Sequence, residues 1–330
     1  MQQSTLKKLS ETLGISISTV SRALKNHPDI AETTKRRVRE LADMMDYEPN
    51  TYAVQLRTKV SRILGVLLPT VNNFFYDSFI SAVEEEARKN DYTVMIIQSG
   101  DNAAEELAAL KHFRQNLVSG IFAAISIETD DLSYFEKLNQ AGTPVVFVDR
   151  VPVTSGYIKT CLADEAAATI AANAIISKKK KNVLALFGHP HLSICKIRHE
   201  AFLQTFKKSS PTTKIKVDWP EQIESSKTSF LNAWSRNEKP DTVFCMGDMI
   251  LIVVMQAIHE LNLNVPEDIA VIGISNGLIP SMYKPKVTYV ETSGYKLGKL
   301  AFKQMMDSLH SKPLQREVFV ESMLVEGGSL

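Results

Sequence analysis

Cysteine is scarce in this sequence, and its few copies are not arranged for any specialised chemistry. The 330 residues contain three cysteines, Cys161, Cys195 and Cys245, and no two of them have the CxxC spacing of a redox or zinc site. An odd number of widely spaced cysteines is not the pattern of a disulfide framework. We therefore expect three reduced cysteines that are buried as small apolar side chains.

Long apolar runs are missing as well. No stretch reaches the roughly 18 consecutive apolar residues of a membrane-spanning helix. The first ten residues, MQQSTLKKLS, contain no apolar segment of the kind found in export signals. With 44% hydrophobic and 23% charged residues, the composition is that of a folded protein rather than a disordered one. At this length we expect more than one domain, and we expect a cytoplasmic location.

Motifs for catalysis or metal binding are also absent. The sequence has no G-x-S-x-G, no phosphate-binding P-loop and no H-E-x-x-H. The segment HPHLSIC places His189, His191 and Cys195 near one another, but no second ligand pair has the spacing of a structural zinc site. The sequence therefore predicts no enzyme activity, no cofactor and no metal.

The net charge of +1 is unevenly distributed along the chain. Residues 1–62 hold 11 Lys and Arg against 7 Asp and Glu, whereas the remainder holds 27 against 30. A polyanion such as DNA would bind at the basic end.

Two different patterns of apolar residues along the sequence indicate two kinds of structure. Up to about Tyr47 the apolar residues recur at helical spacing, as in Leu6, Leu9 and Leu13, which predicts a small all-α unit. Residues 47–62, YEPNTYAVQLRTKVSR, are interrupted by Pro49 and are weakly apolar, which is typical of a linker with marginal helical tendency.

From Ile63 onward, apolar runs alternate with amphipathic segments. The runs are ILGVLLP, TVMIIQS, GIFAAIS, PVVFVDR, YIKTCLA, NVLALFG, TVFCMGD and IAVIGIS. This pattern predicts eight parallel strands covered by helices on both faces, in one barrel or two open sheets. The segment RVPVTSGYI joins two strands without a helix and favours two sheets.

In open sheets of this kind, a ligand binds beyond the carboxyl ends of the strands. The polar residues at those ends are Asn72, Asn73, Ser99, Asp149, Arg150, His189, Asp248, Ser275 and Asn276.

The segment LKKLSETLGISISTVSRAL, residues 6–24, has the pattern of a helix, a tight turn and a second helix. We expect Leu9, Leu13, Ile15 and Val20 to face inward and Gly14 to end the first helix in the left-handed conformation. The second helix would then present hydroxyls and basic groups to a negatively charged groove. The alternative is that Ser and Thr only cap a surface helix.

A resemblance to a known family is carried by the stretch TLKKLSETLGISISTVSRALKNHPDIAETTKRRVRELADMMDYEPNTYAVQLR. It resembles the DNA-binding headpiece and hinge of the lactose and galactose repressor (LacI/GalR) family of bacterial transcription regulators. The resemblance continues through ILGVLLPTVNNFFYDSFISAVEEEA, PVVFVDR, FCMGDMI, VPEDIAVIGISNG and KVTYVETSGYKLG. It implies an all-α helix-turn-helix headpiece and an α/β core of two parallel-sheet subdomains, similar to type I periplasmic binding proteins and usually dimeric.

The resemblance also implies domain boundaries. The headpiece would span 1–47, the hinge helix and linker 48–62, and the effector-binding and dimerisation core 63–330. Within the core, subdomain 1 would comprise about 63–161 and 293–321, and subdomain 2 about 162–292 and 322–330.

The hinge would lie in the minor groove, with Leu56 inserted into the central base step. Leu56 packing on the core is the alternative. The full set of residues expected to contact DNA is Thr5, Ser16, Ile17, Ser18, Thr19, Ser21, Arg22, Lys25, Asn26, Asn50, Leu56 and Arg57.

The resemblance places an effector site at the strand ends. An aromatic ring can stack on a sugar or a base, and an arginine gives a fork for hydroxyls or a carboxylate. Without the resemblance, Phe74 and Phe75 would be read as plain core residues. The expected effector-binding residues are Asn73, Phe74, Phe75, Asp149, Arg150, Arg198, Asp248, Ser275 and Asn276.

The chain departs from the well-studied sugar-responsive members at two places. It has Gly247 and Asp248 where those members have Asn-Asp, and GISN, ending in Ser275 and Asn276, where they have G-[FY]-D-D. The identity of the effector therefore does not transfer. We expect a DNA-binding transcription regulator, and we expect repression rather than activation. The protein should form a homodimer, bind a palindromic operator and respond to a small polar metabolite such as a sugar. The alternatives are a sugar-binding protein without DNA function and an α/β enzyme.

Overall fold

The computed structural model describes residues 6–47 and 61–330, and the chain divides between Ser61 and Arg62 into two compact units. Thr5, Asn50, Leu56 and Arg57 lie outside the described residues.

Residues 6–47 of the first unit form a headpiece of three helices, in agreement with the predicted all-α unit. Its helices are α1 (Leu6–Leu13), α2 (Ile17–Leu24) and α3 (Glu32–Met44). Leu9, Val20 and Val38, one from each helix, are completely buried against one another. Gly14 between α1 and α2 has a φ of 65°, the left-handed conformation expected for a glycine that ends a helix. The apolar spacing of the sequence therefore produces a helix-turn-helix with its own small core.

The second unit contains two six-stranded sheets. The first has the order β11-β5-β4-β3-β1-β2 and is parallel throughout, with β1 (Ile63–Leu68), β2 (Thr93–Gln98), β3 (Gly120–Ala123), β4 (Val145–Val148), β5 (Ile158–Leu162) and β11 (Glu317–Val320). The second has the order β12-β10-β9-β8-β6-β7, with β6 (Asn182–Leu186), β7 (Lys214–Asp218), β8 (Thr242–Cys245), β9 (Ala270–Ser275), β10 (Thr288–Glu291) and β12 (Met323–Val325). Only β12 is antiparallel to its neighbour in this second sheet. We call the two sheets and their helices lobe 1 and lobe 2.

Helices cover the faces of both sheets. Lobe 1 carries α4 (Phe74–Lys89), α5 (Ala103–Gln115), α6 (Ser133–Gln140) and α11 (Gly294–Leu309). Lobe 2 carries α7 (Asp164–Ser177), α8 (Ser193–Ser209), α9 (Ser225–Trp234), α10 (Asp248–Glu260) and a short 3₁₀ turn at Pro280–Met282. The chain passes between the lobes three times, after β5, after β10 and after β11. The predicted two-sheet core is therefore confirmed, and the barrel is excluded.

The prediction of eight strands was incomplete, because β7, β10, β11 and β12 were missed. Three of these four are edge strands, and their residues are mostly exposed or half-buried. An edge strand has fewer neighbours and need not be a continuous apolar run, whereas the eight predicted segments are mostly interior strands that do.

The cysteines have the structural role expected of them. Cys161, Cys195 and Cys245 are free and buried. Burial raises the pKa of the Cys161 thiol to about 12 and that of Cys195 to about 11, so both stay protonated at neutral pH. Among the described residues, no helix is both long and apolar enough to span a membrane.

Candidate DNA-binding surface and effector cavity

Helix α2 exposes the side chains that the sequence assigned to DNA. Ser16, Ile17, Ser18, Arg22 and Lys25 are exposed, and the large apolar side chain of Ile17 is 48% exposed. An exposed isoleucine at the start of a helix is unfavourable in water, but it could contact the methyl group of a thymine. The arrangement suits insertion into a major groove.

Some of the hydroxyls and the asparagine are already used within the headpiece. The Ser16 hydroxyl oxygen accepts a hydrogen bond from the Thr19 amide at 3.1 Å, so it caps α2, and it also shares a hydrogen bond with the Thr19 hydroxyl. The Asn26 side chain accepts from Arg39 at 3.0 Å. Capping of the helix start therefore uses Ser16 and Thr19, whereas the side chains of Ser18, Arg22 and Lys25 are exposed and have no part in this cap. Thr19 and Ser21 are half-buried.

Arg22 is held only loosely by its surroundings. One of its terminal nitrogens lies 3.8 Å from a carboxylate oxygen of Asp29, and both side chains are more than half exposed. An exposed pair at this distance contributes little, so Arg22 can be redirected to DNA at small cost.

A cavity of about 210 Å³ lies between the two lobes. Its wall brings together residues that follow β1 and β4 in lobe 1 with residues that follow β8 and β9 in lobe 2, as expected for the carboxyl ends of parallel strands. Eight of the nine predicted effector-binding residues line it, namely Asn73, Phe75, Asp149, Arg150, Arg198, Asp248, Ser275 and Asn276.

Phe74 differs from the prediction, because it is not in the cavity wall. Its side chain is 38% exposed. Phe74 is the first residue of α4 and its ring stays partly exposed, whereas the next two residues, Phe75 and Tyr76, line the cavity. Its carbonyl oxygen instead accepts a hydrogen bond from the Asn276 side chain of lobe 2 at 2.9 Å, which joins the lobes.

The start of α4 is fixed by Asn73. The side-chain oxygen of Asn73 accepts from the Phe75 amide at 2.8 Å, which caps the helix and leaves the side-chain NH₂ group available. A methyl group on Gly294 of α11 would collide with the Phe75 carbonyl, so these two helices approach closely only because that residue is glycine. The cap and the close helix packing together position Asn73 and Phe75.

Asp149 is buried in lobe 1 beside a residue that the sequence analysis missed. The hydroxyl of Tyr76 donates to a carboxylate oxygen of Asp149 at 2.7 Å. Burial raises the pKa of Asp149, while the Tyr76 hydrogen bond and the charges of Arg150 and Arg198 act in the opposite direction. Tyr76 is in the first turn of α4, and the pattern NNFFY gave no signal for it.

Arg150 is paired within lobe 1. Its guanidinium donates to a carboxylate oxygen of Asp101, and the same oxygen accepts from the Ile127 amide at 3.2 Å. Asp101 comes three residues after β2. The expectation that ligands bind beyond the carboxyl ends of the strands, which we call the strand-end rule, could therefore have found it.

Arg198 forms a buried ion pair that the sequence did not predict. Its Nε and Nη2 lie 2.7 Å and 2.6 Å from Oδ1 of Asp164, and its Nη1 donates to the Met246 carbonyl at 3.0 Å. Arg198 and Asp164 are 5% and 7% exposed. All three nitrogens of the guanidinium therefore already have a partner within the protein, and Arg198 also lines the cavity. Asp164 comes two residues after β5, at the carboxyl end of a strand where ligand-binding residues are expected, so the sequence could have indicated it as well.

Asp248, Ser275 and Asn276 form a second polar group in lobe 2. The Ser275 hydroxyl donates to Oδ1 of Asp248, and the Asn276 amide donates to Oδ2 at 3.4 Å. Burial raises the pKa of Asp248, while the hydrogen bonds from Ser275 and Asn276 act in the opposite direction. Apolar side chains of Phe75, Leu162, Leu192, Ile194, Met246 and Ile274 complete the wall. The cavity thus has the apolar surface and the few convergent polar groups of a small-molecule site.

The histidines of HPHLSIC do not form a ligand cluster. Nδ1 of His189 accepts from the His191 amide at 3.3 Å, and across residues 6–47 and 61–330 no group of three His, Cys, Asp or Glu side chains could hold a metal ion.

Comparison with known proteins agrees with both units. A family model described as bacterial regulatory proteins, lacI family, matches residues 5–50, and one described as a periplasmic binding protein-like domain matches residues 173–330. The chain therefore combines a DNA-binding domain of the lacI family with a periplasmic binding protein-like domain.

Relatives align along nearly the full chain. The HTH-type transcriptional repressor PurR of Vibrio vulnificus is 25% identical over 318 residues, which is 96% of this chain and 95% of the relative. The ribose operon repressor of Bacillus subtilis is 27% identical over 310 residues, 94% of this chain and 93% of the relative.

Solved structures share the fold of this chain. The Lac repressor dimer bound to operator and the anti-inducer ONPF has a TM-score of 0.88 at 18% identity, with 99% of both chains covered. The complex of the transcriptional regulator CelR with cellobiose has a TM-score of 0.71 at 16% identity, with 99% of this chain and 100% of that chain covered.

Proposed function

We propose that this protein is a sequence-specific DNA-binding transcription regulator, a repressor, whose operator affinity is changed by a small polar metabolite bound between lobes 1 and 2. One observation supports the proposal most directly. The same chain contains a helix-turn-helix whose second helix is exposed and a cavity between two lobes that is lined by both polar and apolar side chains. The PurR, ribose operon repressor and CelR proteins are named as regulators, which supports the same assignment.

In this proposal the protein acts as a homodimer in the cytoplasm. A single headpiece reads only a few base pairs, so useful specificity requires two headpieces and an approximately palindromic operator. The dimeric Lac repressor on its operator is a structural precedent for such an assembly.

In this proposal each segment of the chain has a separate role. Residues 1–47 contact the major groove, residues 48–62 the minor groove, and residues 63–330 bind the effector and form the dimer. A ligand between the lobes can change DNA affinity only if it binds two arrangements of the core unequally. The hydrogen bond from Asn276 to the Phe74 carbonyl joins the lobes in the arrangement described here, and it is one contact that such a change would break.

The ligand proposed for the cavity is a sugar or a sugar derivative. Apolar side chains can lie against the face of a sugar ring, while Asp149, Arg198 and Asp248 can bond its hydroxyls. The complex of CelR with cellobiose shows that a protein of this fold binds a sugar.

Selection of bound fragments from genomic DNA tests the proposal. The parent protein should enrich a small set of fragments that share a palindromic sequence, and the double variant Arg22→Ala, Lys25→Ala should not. A sugar-binding protein without DNA function would enrich nothing with either protein. An α/β enzyme would consume a sugar or nucleotide added at substrate level, which a regulator leaves unchanged.

A further inference from the structure

Glycine at position 247 has no explanation within the chain itself. Gly247 lies between β8 and α10, with φ of −163° and ψ of 168°, an extended conformation that any residue adopts. A methyl group added there would meet no heavy atom within 4 Å. Neither of the two usual structural reasons for glycine, a left-handed backbone or close packing against the chain, therefore applies.

The other glycines do have such reasons. All 14 glycines of the sequence fall within the described residues. Four others also have open space around an added methyl group, but each of these, Gly14, Gly100, Gly142 and Gly156, has a φ between 61° and 100°. The remaining nine all have chain atoms within 4 Å of the added carbon. Gly247 is the exception in both respects.

Helix capping does not account for this glycine either. Gly247 is the N-cap residue of α10 and makes no side-chain cap hydrogen bond. Ser, Asn or Asp at this position would supply that bond and would also restrict the unfolded chain. The folded protein is therefore less stable with glycine here than it would be with one of these residues, although a side chain would fit.

Gly247 lies in the wall of the cavity between the lobes. Glycine is also used where a backbone must be approached closely by a ligand. A side chain on this wall residue would therefore extend into open space rather than against the chain.

The charges around this space limit the chemistry of the ligand. Arg150 and Arg198 each pair with a carboxylate, Asp101 and Asp164. Asp248, next to Gly247, accepts only neutral donors, from Ser275 and Asn276, and makes no ion pair among the described residues. A phosphate or carboxylate placed here would meet an uncompensated negative charge, whereas a hydroxyl would find an acceptor.

We propose that Gly247 is a specificity-determining residue: its missing side chain leaves room for an uncharged, hydroxyl-bearing part of the ligand to lie against the backbone beside Asp248. This inference rests on the proposed effector site but does not depend on what binding does to DNA affinity.

Thermal unfolding of the full-length protein with defined probes tests the ligand class. The neutral probes are D-glucose, D-ribose and cellobiose, and the charged probes are the anions glucose 6-phosphate, gluconate and glucuronate. At least one neutral sugar should raise the unfolding temperature, and by more than any charged probe at equal concentration. The proposal is overturned if no neutral sugar has an effect or if a charged probe has the largest one.

Two substitutions at one position test the role of Gly247. Gly247→Ala and Gly247→Val suit the extended backbone, and the unfolding temperature without ligand reports whether they fold. Titration of the neutral sugar with the largest effect should show a Kd raised at least threefold by alanine and at least tenfold by valine. Both variants binding within twofold of the parent would show that the ligand does not approach Gly247.

A matched control adds methyl groups elsewhere in lobe 2. In Ala166→Val they are added at an exposed position of α7 that is not part of the cavity wall. Its Kd should stay within twofold of the parent, and an equal loss in this control would contradict a specific role for Gly247. Fragment selection with the same preparation keeps the two proposals separate, because failure to bind DNA would refute the regulator assignment and leave the sugar titrations valid.

Discussion

Replacement of Arg198 by alanine should separate DNA binding from the effector response, and it should also reveal the buried ion pair. Arg198 and Asp164 are 5% and 7% exposed, and the guanidinium makes three contacts with Asp164 and the Met246 carbonyl. Removal of the arginine leaves a buried carboxylate without its partner. Loss of one member of a buried pair costs about 3–5 kcal/mol of the free energy of unfolding.

This loss is a large share of the stability of a typical domain, which is about 5–15 kcal/mol, but lobe 2 should still fold. The headpiece is a separate unit with its own core, so operator affinity should stay close to that of the parent. The response of operator binding to the effector should be lost, because the guanidinium that lines the cavity is gone.

The stability deficit should shrink at low pH. Burial raises the pKa of Asp164, and Arg198 opposes that rise, so the pKa of Asp164 should be higher still in the variant. A carboxyl group whose pKa is raised by folding contributes stability below its unfolded pKa of about 4, and this contribution is lost as the pH rises through the folded pKa. The variant should therefore be closer to the parent in stability at about pH 5 than at about pH 8.

Urea unfolding at both pH values, with operator titrations at pH 8, measures these effects. Lys196→Ala is the matched control, because Lys196 is an exposed cation two residues earlier on α8. It should change the free energy of unfolding by less than about 0.5 kcal/mol. The reasoning would be refuted if Arg198→Ala cost less than about 1 kcal/mol, well below the range for a broken buried pair, or if the variant responded to the effector like the parent.

Three further predictions concern the headpiece, the hinge and lobe 1. Arg22→Ala should lose about 1–3 kcal/mol of binding to the preferred site only, whereas Lys25→Ala should weaken all sequences alike and reduce the salt dependence. Unchanged binding curves for both variants would remove α2 from the interface. Leu56→Ala should bind DNA with less bending, measured by the gel mobility of permuted fragments, and unaltered bending would contradict insertion between base pairs. Tyr76→Phe removes the hydrogen bond to buried Asp149, so the free energy of unfolding in urea should fall by about 1–3 kcal/mol; a change below about 0.5 kcal/mol would show that another donor replaces it.

Local sequence patterns were sufficient for the helices of the headpiece and for all interior strands except β10. Leu9, Val20 and Val38 follow helical spacing and are all completely buried. Strands such as ILGVLL are short continuous apolar runs, and they form interior strands as expected. These features depend on neighbouring residues, so periodicity is enough to predict them.

The strand-end rule also predicted much of the cavity from the sequence. Asn73, Asp149, Asp248 and Ser275 were selected because they follow apolar strands, and all four line the same cavity. The carboxyl ends of parallel strands necessarily meet at one edge of a sheet, so this proximity follows from topology alone. Arg198 is in a helix and was found only through the family resemblance.

Only the tertiary structure decided which polar groups are already paired. Arg198 meets Asp164 from 34 positions away, Tyr76 meets Asp149 from 73, and Asn276 meets the Phe74 carbonyl from 202. No local pattern encodes such distances, because they depend on how the sheets and helices pack. The orientation of Phe74 and the open space at Gly247 were decided in the same way. The sequence by itself therefore determined which kinds of side chain surround the cavity, and the packing of the two lobes determined which of them remain available to a ligand.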